Sequence, residues 1–432
     1  LNFATWKGNA DELAKLHSSY SDFSRDTLRQ TLVELNSLFL EAPGSIRTAY
    51  RLLLEPRIEA SRKQQLTTMS GSLAWSLSGC GDDESIAERL GGQIRAVDMT
   101  LSSHGSRWPF EASEWLDEEE KFYVIPRMDW ERHPANRQVY EKRGILKHRI
   151  VPTEINGYRV EVIANHTIAL CAKANKKRSM GACLFPGLEA KPRFSQDEGQ
   201  RCFIVESVSC DSADTMIDQQ IEGALSEGCF VVVWPELAVP PALRRKIQES
   251  LRGAEKVRDK RPPPEVVVAG TWHEPLGGHY VNRAYIYDGY GVARTTYDKF
   301  DPYSDDCWGK ENISAGESLR LLATEDALIG FAICLDFCDL ASSNPFTRLD
   351  IDLMLVPSMG NDSTIEGHLS TAKAVKVNFG TRSFVVQHMT KTKKKDGRIG
   401  SILPVSKNLR VLGQKKGWKS YKWALDAEPK IK

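Results

Sequence analysis

Residues 229–237 read Cys-Phe-Val-Val-Val-Trp-Pro-Glu-Leu, and this stretch decides the fold class. Six consecutive apolar side chains without polar alternation belong to a strand covered on both faces, as inside a parallel sheet. Pro235 has no N–H to give a ladder, so the strand stops there and Glu236 stands just beyond it. Outward from this point strands and helices alternate. Upstream, Cys202–Val208 reads as a strand, and Ser212–Ser226 has helical spacing at Met216, Ile217, Ile221 and Leu225. Downstream, Pro240 and Pro241 open a helix over Arg244–Leu251. Short apolar runs follow at Val266–Ala269, Arg283–Tyr287, Leu328–Cys334, Ile351–Val356 and Arg382–Gln387. Such alternation predicts a layered α/β domain.

The chain has 432 residues, 41% hydrophobic and 27% charged, which is room for two or three domains at roughly 150 residues each. That balance excludes a disordered or collagen-like polymer. No apolar run approaches the ~18 residues of a membrane-spanning helix, and no basic segment followed by an apolar stretch marks a secretory leader. The expected location is cytoplasmic. The nine cysteines include no CxxC pair and no His at zinc-finger spacing, so reduced thiols are expected and no metal or cofactor. The chain does not begin with Met, which suggests a piece of a longer polypeptide.

The net charge of +1 is unevenly spread: residues from Lys391 onward carry +10 and the remainder −9. The basic end includes Lys393–Lys395, Lys415 and Lys416, then Lys419 and Lys422 among Trp418, Tyr421 and Trp423. Basic residues with interleaved aromatics suit a nucleic-acid partner, and equally a solvated surface whose aromatics pack on the domain.

Residues 1–121 read as helical, with Asp26–Leu40 and Asp83–Leu101 the clearest segments. Ser45 is a candidate cap for a helix through Leu54, and Gly91-Gly92 is an expected weak point in the later one. Residues 122–200 read as a β-rich connecting segment, strand-like over Tyr158–Ala172 and polar over Pro186–Gln200.

Three strand ends carry the chemistry: Glu236, Lys299 in Tyr-Asp-Lys-Phe (297–300), and Cys334 where the run Ile329–Ile333 gives out. Ligands of layered α/β sheets sit beyond carboxyl ends of strands. A thiol nucleophile, a carboxylate base and a cation for developing negative charge make a sufficient acyl-transfer set. Tyr303-Ser304-Asp305-Asp306 has the form of a polymerase metal hairpin, but its flanks read as loop, not as apolar strands.

Over about 201–412 the chain resembles the nitrilase, or carbon–nitrogen hydrolase, superfamily. The likeness rests on Trp-Pro-Glu (234–236), Val-Ala-Gly-Thr (268–271), Asn-Arg-Ala-Tyr (282–285) with Asp288-Gly289, Tyr-Asp-Lys-Phe, the Cys334 strand, and Leu-Met-Leu-Val-Pro-Ser (353–358) in family order. The resemblance implies a four-layer α-β-β-α sandwich over 201–425, followed by a basic end at 426–432. It implies Glu236 as general base, Lys299 as oxyanion stabiliser, Cys334 as nucleophile and the Leu335 N–H as a further oxyanion donor. Glu311, five residues before Gly316, is the best match to a second glutamate, ahead of Glu317 and Asp306; Asn361 and Asp362 fall where members shape the pocket. Leu335 stands where members often have Trp or Tyr, and an Arg common shortly afterwards is missing. The implied reaction is hydrolysis of a small amide or nitrile through a Cys thioester, without cofactor, in a homo-oligomer. Nitrilase-like domains also occur fused behind reverse transcriptases of antiviral defence systems, and the helical N-terminal region would suit such a parent. The alternative role is a scaffold in a nucleic-acid-associated defence complex with little turnover.

Overall fold

The computed structural model describes residues 2–20, 22–68, 73–104, 111–127, 144–165, 178–197, 199–253, 263–324, 327–338, 344–389, 398–403, 410–413 and 417–423. They divide into two compact units, Leu1–Glu154 and Ile155–Lys432.

In the first unit, helices α1 (Phe3–Ser19), α2 (Arg25–Leu40), α3 (Gly44–Leu52), α4 (Glu55–Thr68) and α5 (Asp83–Ser103) precede a hairpin of β1 (Phe122–Pro126) and β2 (His148–Pro152). Leu28, Leu32, Leu35 and Leu38 of α2 are all buried, as their spacing requires. The helix expected from Ser45 begins instead at Gly44, with Pro43 at the cap position and no side-chain cap bond. Gly91-Gly92 interrupts nothing. A Cβ on Gly91 would strike the Tyr50 ring of α3, and one on Gly92 the Ser61 side chain of α4. The missing side chains let three helices close on one another, which offsets the helix propensity lost. Buried Asp98 of α5 accepts the N–H groups of Leu146, Lys147 and His148 and bonds His148 Nδ1 at 2.8 Å, anchoring the start of β2.

The chain enters the second unit through β3 (Glu154–Ile155), followed by β4 (Tyr158–Ala164), β5 (Arg178–Cys183), β6 (Glu189–Asp197) and β7 (Gln200–Ser209). Helix α6 (Ala213–Ser226), β8 (Cys229–Trp234), α7 (Pro241–Gly253), β9 (Val266–Leu276), β10 (His279–Tyr287) and β11 (Ala293–Asp298) come next. Short strands β12 (Ser304–Asp305) and β13 (Gly309–Glu311) lead to β14 (Ser318–Ala323), β15 (Leu328–Phe331) and β16 (Leu353–Gly360). Helix α8 (Asp362–Phe379), β17 (Arg382–Met389), β18 (Arg398–Leu403), β19 (Arg410–Gly413) and β20 (Trp418–Trp423) complete the order.

One sheet runs β11-β10-β9-β8-β5-β20 and a second β19-β18-β17-β16-β15-β14-β4-β3. In the first, β5, β8 and β9 are parallel; in the second, β15, β16 and β17 are. The sheets face each other through β16 against β8 and β9 and through β11 against β14. Helices α6 and α7 cover the first sheet, where Ile217, Ile221 and Ile247 bury with Val232, Trp234 and Val267. Helix α8 covers the second at β16, β17 and β18. The layers are therefore α-β-β-α.

The described strands of 122–200 are shared among several sheets. The first strands make the hairpin of the first unit, while β4 and β5 each join one of the two main sheets. Residues 186–200, expected as a connection, contain β6, which among the described residues pairs with β7 at the edge of a small sheet, β12-β13-β7-β6. Its exposed polar sequence hid it. Pro192 falls at a register shift, where an edge strand tolerates a residue without N–H. Tyr303–Asp306, expected as loop, contributes β12 to a tight hairpin with β13. Asp305 is consumed there, accepting Tyr303 Oη and the N–H groups of Cys307 and Trp308.

Of the basic end, 390–397, 404–409, 414–416 and 424–432 lie outside the described residues. Trp418 and Tyr421 lie in β20, which pairs with β5. The Trp418 indole lies against Gly181 and Gly223, and the Tyr421 ring sits 6.2 Å from that of Phe384. These two aromatics are packing residues. Among the described residues no helix is long and apolar enough to cross a membrane.

Candidate active site

Glu236 follows β8, Lys299 follows β11, Glu311 ends β13 and Cys334 stands three residues past β15. The first sheet thus delivers Glu236 and Lys299, the second Cys334 and the small sheet Glu311 to one place. They are 2%, 1%, 1% and 1% exposed, so their charges must be settled among themselves.

Lys299 Nζ donates to Glu236 Oε1 at 2.9 Å and to Glu311 Oε2 at 2.6 Å. Asn282 Nδ2 bridges the same carboxylates, 3.0 Å from Glu236 Oε1 and 2.9 Å from Glu311 Oε1. The Val205 N–H donates to His273 Nδ1 at 2.7 Å, which leaves the hydrogen on Nε2 to reach Glu311 Oε1 at 2.8 Å. The Tyr303 N–H completes Glu311, donating to Oε2 at 2.9 Å. Glu311 therefore accepts four hydrogen bonds and has no lone pair to offer.

Glu236 differs. Its Oε1 takes Lys299 and Asn282, while its Oε2 takes only the Met359 N–H at 2.9 Å. One acceptor position stays open on Oε2. Lys299 uses two of its three N–H bonds, so one donor stays open beside it. Cys334 Sγ reaches the same residue from the other side, donating to Met359 O at 3.5 Å.

Electrostatics follow from burial and these partners. Burial would lower the Lys299 pKa, but Glu236 and Glu311 overcome it and hold the ammonium well above its ordinary value. Burial would raise the Glu311 pKa, and Lys299 with the His273 hydrogen bond reverses this to well below the carboxylate range. Burial and then the Glu236 charge push the Cys334 thiol well up, with Lys299 only partly opposing. Two carboxylates hold the cation beside Cys334, and burial with Glu236 favours the thiol form of the sulfur at rest.

Backbone shape adds to this. Cys334 has φ +47° and Leu237, next to Glu236, has φ +50°, a region that costs a branched or bulky residue of order 1–3 kcal/mol. Asp336 holds the Cys334 turn in place: Oδ1 accepts the N–H groups of Phe300 and Asp301, and Oδ2 the Ile333 N–H and Tyr297 Oη. The Lys299 strand end is thereby tied to the Cys334 turn. Gly270 serves the Glu236 side, since a Cβ there would lie 2.6 Å from the Pro235 carbonyl.

Burial pushes the Asp336 carboxyl up to about 8, against the pull of Lys299 and its donors. A folded value above the unfolded ~3.9 means that the folded state binds this proton more tightly. The resulting stability is complete below pH ~4 and is lost as pH rises through about 8. Between pH 6 and 9 the wild-type melting temperature is expected to fall, and Asp336→Asn to remove part of that slope. A slope unchanged by the substitution would assign the decline elsewhere.

The remaining candidates do other work or lie apart. Asn361 caps α8, its Oδ1 accepting the N–H groups of Ser363 and Thr364. Glu317 and Asp306 are exposed. Leu335 is half-buried and follows Cys334 in the same short turn. Asn282, His273, Met359 and Asp336 are the site residues that sequence reasoning missed. The only signal for Asn282 was its place in Asn-Arg-Ala-Tyr. Among the described residues no cluster of three or more His, Cys, Asp or Glu could hold a metal ion.

No protein-family model matches the chain, and no curated protein does. Among solved structures it is similar to an amidase from Nesterenkonia sp., at 16% identity and TM-score 0.40, over 57% of this chain and 90% of that one. It is also similar to a double mutant of the amidase from Nesterenkonia sp. AN1 in complex with acrylamide, at 14% identity and TM-score 0.41, over 58% and 92%. A further mutant, described as a Nesterenkonia AN1 amidase from the nitrilase superfamily, matches at 16% identity and TM-score 0.39, over 57% and 90%.

Proposed function

We propose that the second unit hydrolyses a carbon–nitrogen bond of a small amide or nitrile through a thioester on Cys334. One observation carries this reading: beside a buried thiol, Glu236 keeps one open acceptor and Lys299 one open donor, while Glu311 is saturated. That is the pairing needed when a proton leaves sulfur and negative charge appears on oxygen.

For an amide, Cys334 Sγ attacks the carbonyl carbon as its proton passes to Glu236 Oε2. The tetrahedral oxyanion takes the free N–H of Lys299, a donor worth on the order of 3 kcal/mol at such a centre. The leaving nitrogen departs as ammonia or amine with the proton from Glu236, and the thioester remains. Water then gives a proton to Glu236, attacks the thioester, and releases the carboxylic acid and the thiol. Glu311, with no free lone pair, holds Lys299 and Asn282 in place. Because the resting sulfur is a thiol, proton transfer accompanies attack instead of preceding it.

A scaffold without turnover, as part of a nucleic-acid-associated assembly, draws on that same protonated resting state and on Leu335 after the cysteine. One assay separates the two. Ammonia release is expected from at least one member of a panel of small primary amides and nitriles, and is expected to vanish in Cys334→Ala. Folded protein that releases none from the whole panel, or a Cys334→Ala variant that still does, would reject the hydrolase.

A further inference from the structure

Glu236, Lys299, Glu311 and Cys334 are buried, so a substrate reaches them past whichever neighbours are not. Four residues outside this quartet hydrogen-bond to its side chains: Asn282, His273, Met359 and Tyr303. Asn282 and His273 are 0% and 3% exposed and close the site on their side. Met359 and Tyr303 are half-buried. The Met359 backbone touches both reacting groups, its N–H 2.9 Å from Glu236 Oε2 and its carbonyl 3.5 Å from Cys334 Sγ. The Tyr303 backbone grips Glu311, giving its N–H to Oε2 at 2.9 Å and accepting the Glu311 N–H at 2.7 Å.

The side chains of these two residues belong to one apolar cluster. Met359, Tyr303 and half-buried Trp308 pack on buried Phe203, Leu237 and Trp272, and Leu237 directly follows Glu236. The Phe203 ring meets Tyr303 at 6.5 Å and 79° and Trp308 at 5.1 Å and 82°, the edge-to-face arrangement that aromatic pairs prefer. Asp305 fixes both outer residues, accepting Tyr303 Oη at 2.8 Å and the Trp308 N–H at 2.6 Å. A third donor, the Cys307 N–H, completes this carboxylate. Asp306 and Lys310 of the same hairpin are exposed to water. The wall beside the reacting groups is thus aromatic and sulfur-bearing rather than charged.

We propose that Met359, Tyr303 and Trp308 form the acyl subsite, that the substrate is the amide or nitrile of an uncharged, aryl-substituted acid, and that Trp308 determines this specificity. In a primary amide or a nitrile the acyl group is the one organic substituent to be recognised. The half-buried side chains are where it displaces water. A flat ring gains edge-to-face and sulfur contacts there beyond the area it buries. A carboxylate or ammonium would lose its water shell against an apolar face without gaining a partner. The hairpin that resembles a polymerase metal motif in sequence thereby serves as substrate wall. The proposal rests on the hydrolase reading for its chemistry, whereas its binding half is tested without turnover.

The test compares kcat/KM of the full chain for 3-phenylpropanamide, acetamide and succinamate. The phenyl compound is expected to be favoured over both by about tenfold or more. Trp308→Ala is expected to cut that preference about tenfold, and Met359→Ala, which keeps the backbone bonds, to cut it as well. A change in folding alone would lower all three substrates together and leave the ratio. Should Trp308→Ala not fold, Met359→Ala decides. A wild-type preference for acetamide or succinamate, or a ratio unmoved by the variants, would overturn the proposal. If no amide is turned over, protection of Cys334 from acrylamide labelling, mapped by peptide mass, separates the two readings. Phenylacetone protecting at concentrations about tenfold below acetone, with the advantage lost in Trp308→Ala, would keep the subsite and reject the hydrolase. Equal protection by the two ketones, or a Cys334 left unlabelled while exposed Cys307 reacts, would overturn the subsite.

Discussion

Lys299→Met is expected to lower the stability of the second unit by about 3–5 kcal/mol, the cost of removing one partner from a buried ion cluster. The reason lies in the count of charges. Lys299 is the cation between Glu236 and Glu311, and Asn282 adds only dipoles. Without the ammonium two buried carboxylates share one amide group, so one must take up a proton or the site must open. The deficit therefore has a pH signature. A carboxylate whose folded pKa is raised contributes stability at low pH and loses it as pH rises. Urea unfolding at pH 5 and pH 8 is expected to show the larger loss at pH 8. An equal loss at both would mean that Lys299 acts through packing alone.

Glu236→Gln is expected to invert that pattern. The substitution removes one of two carboxylates around a single ammonium, leaving a one-to-one pair of Lys299 with Glu311. Stability is expected to change by less than about 1 kcal/mol, or to rise. Turnover is expected to fall by about 10³-fold or more, because the amide side chain cannot take the thiol proton. Ammonia release with a saturating substrate, read beside the melting temperature, checks both halves. A variant that keeps its rate would place the base elsewhere. One that loses rate and stability together would make Glu236 a structural residue.

These contrasts show which parts of the site the sequence exposes. Cys229–Trp234 forms a strand with the bounds read from sequence, because six apolar residues between Gly228 and Pro235 leave no other period to satisfy. Glu236, Lys299 and Cys334 were legible because each stands where a strand ends. Glu311 was reached through its distance from Gly316, but its saturated state was not. That state depends on His273, Asn282 and the Tyr303 N–H, partners brought together by pairing between strands rather than by spacing along one. The same holds for Asp336, whose four donors come from two strand ends.

The misreadings have physical causes as well. Gly91-Gly92 looked like a break because propensity sees one helix, whereas Tyr50 and Ser61 occupy the space that the glycines leave. β6 looked like a connection because Ala190 and Phe194, with Pro192, are too few apolar residues among its polar ones to mark a face, and its pairing with β7 defines it.

The thioester is the central claim, and intact-mass spectrometry under substrate tests it most directly. The protein is mixed with an amide that it turns over, quenched in acid within one turnover, and digested for mapping. An acyl mass on the Cys334 peptide, absent in Cys334→Ala and cleared on further incubation, is the predicted result. Ammonia release with no acyl mass at Cys334, or with the acyl group on another residue, would contradict the account.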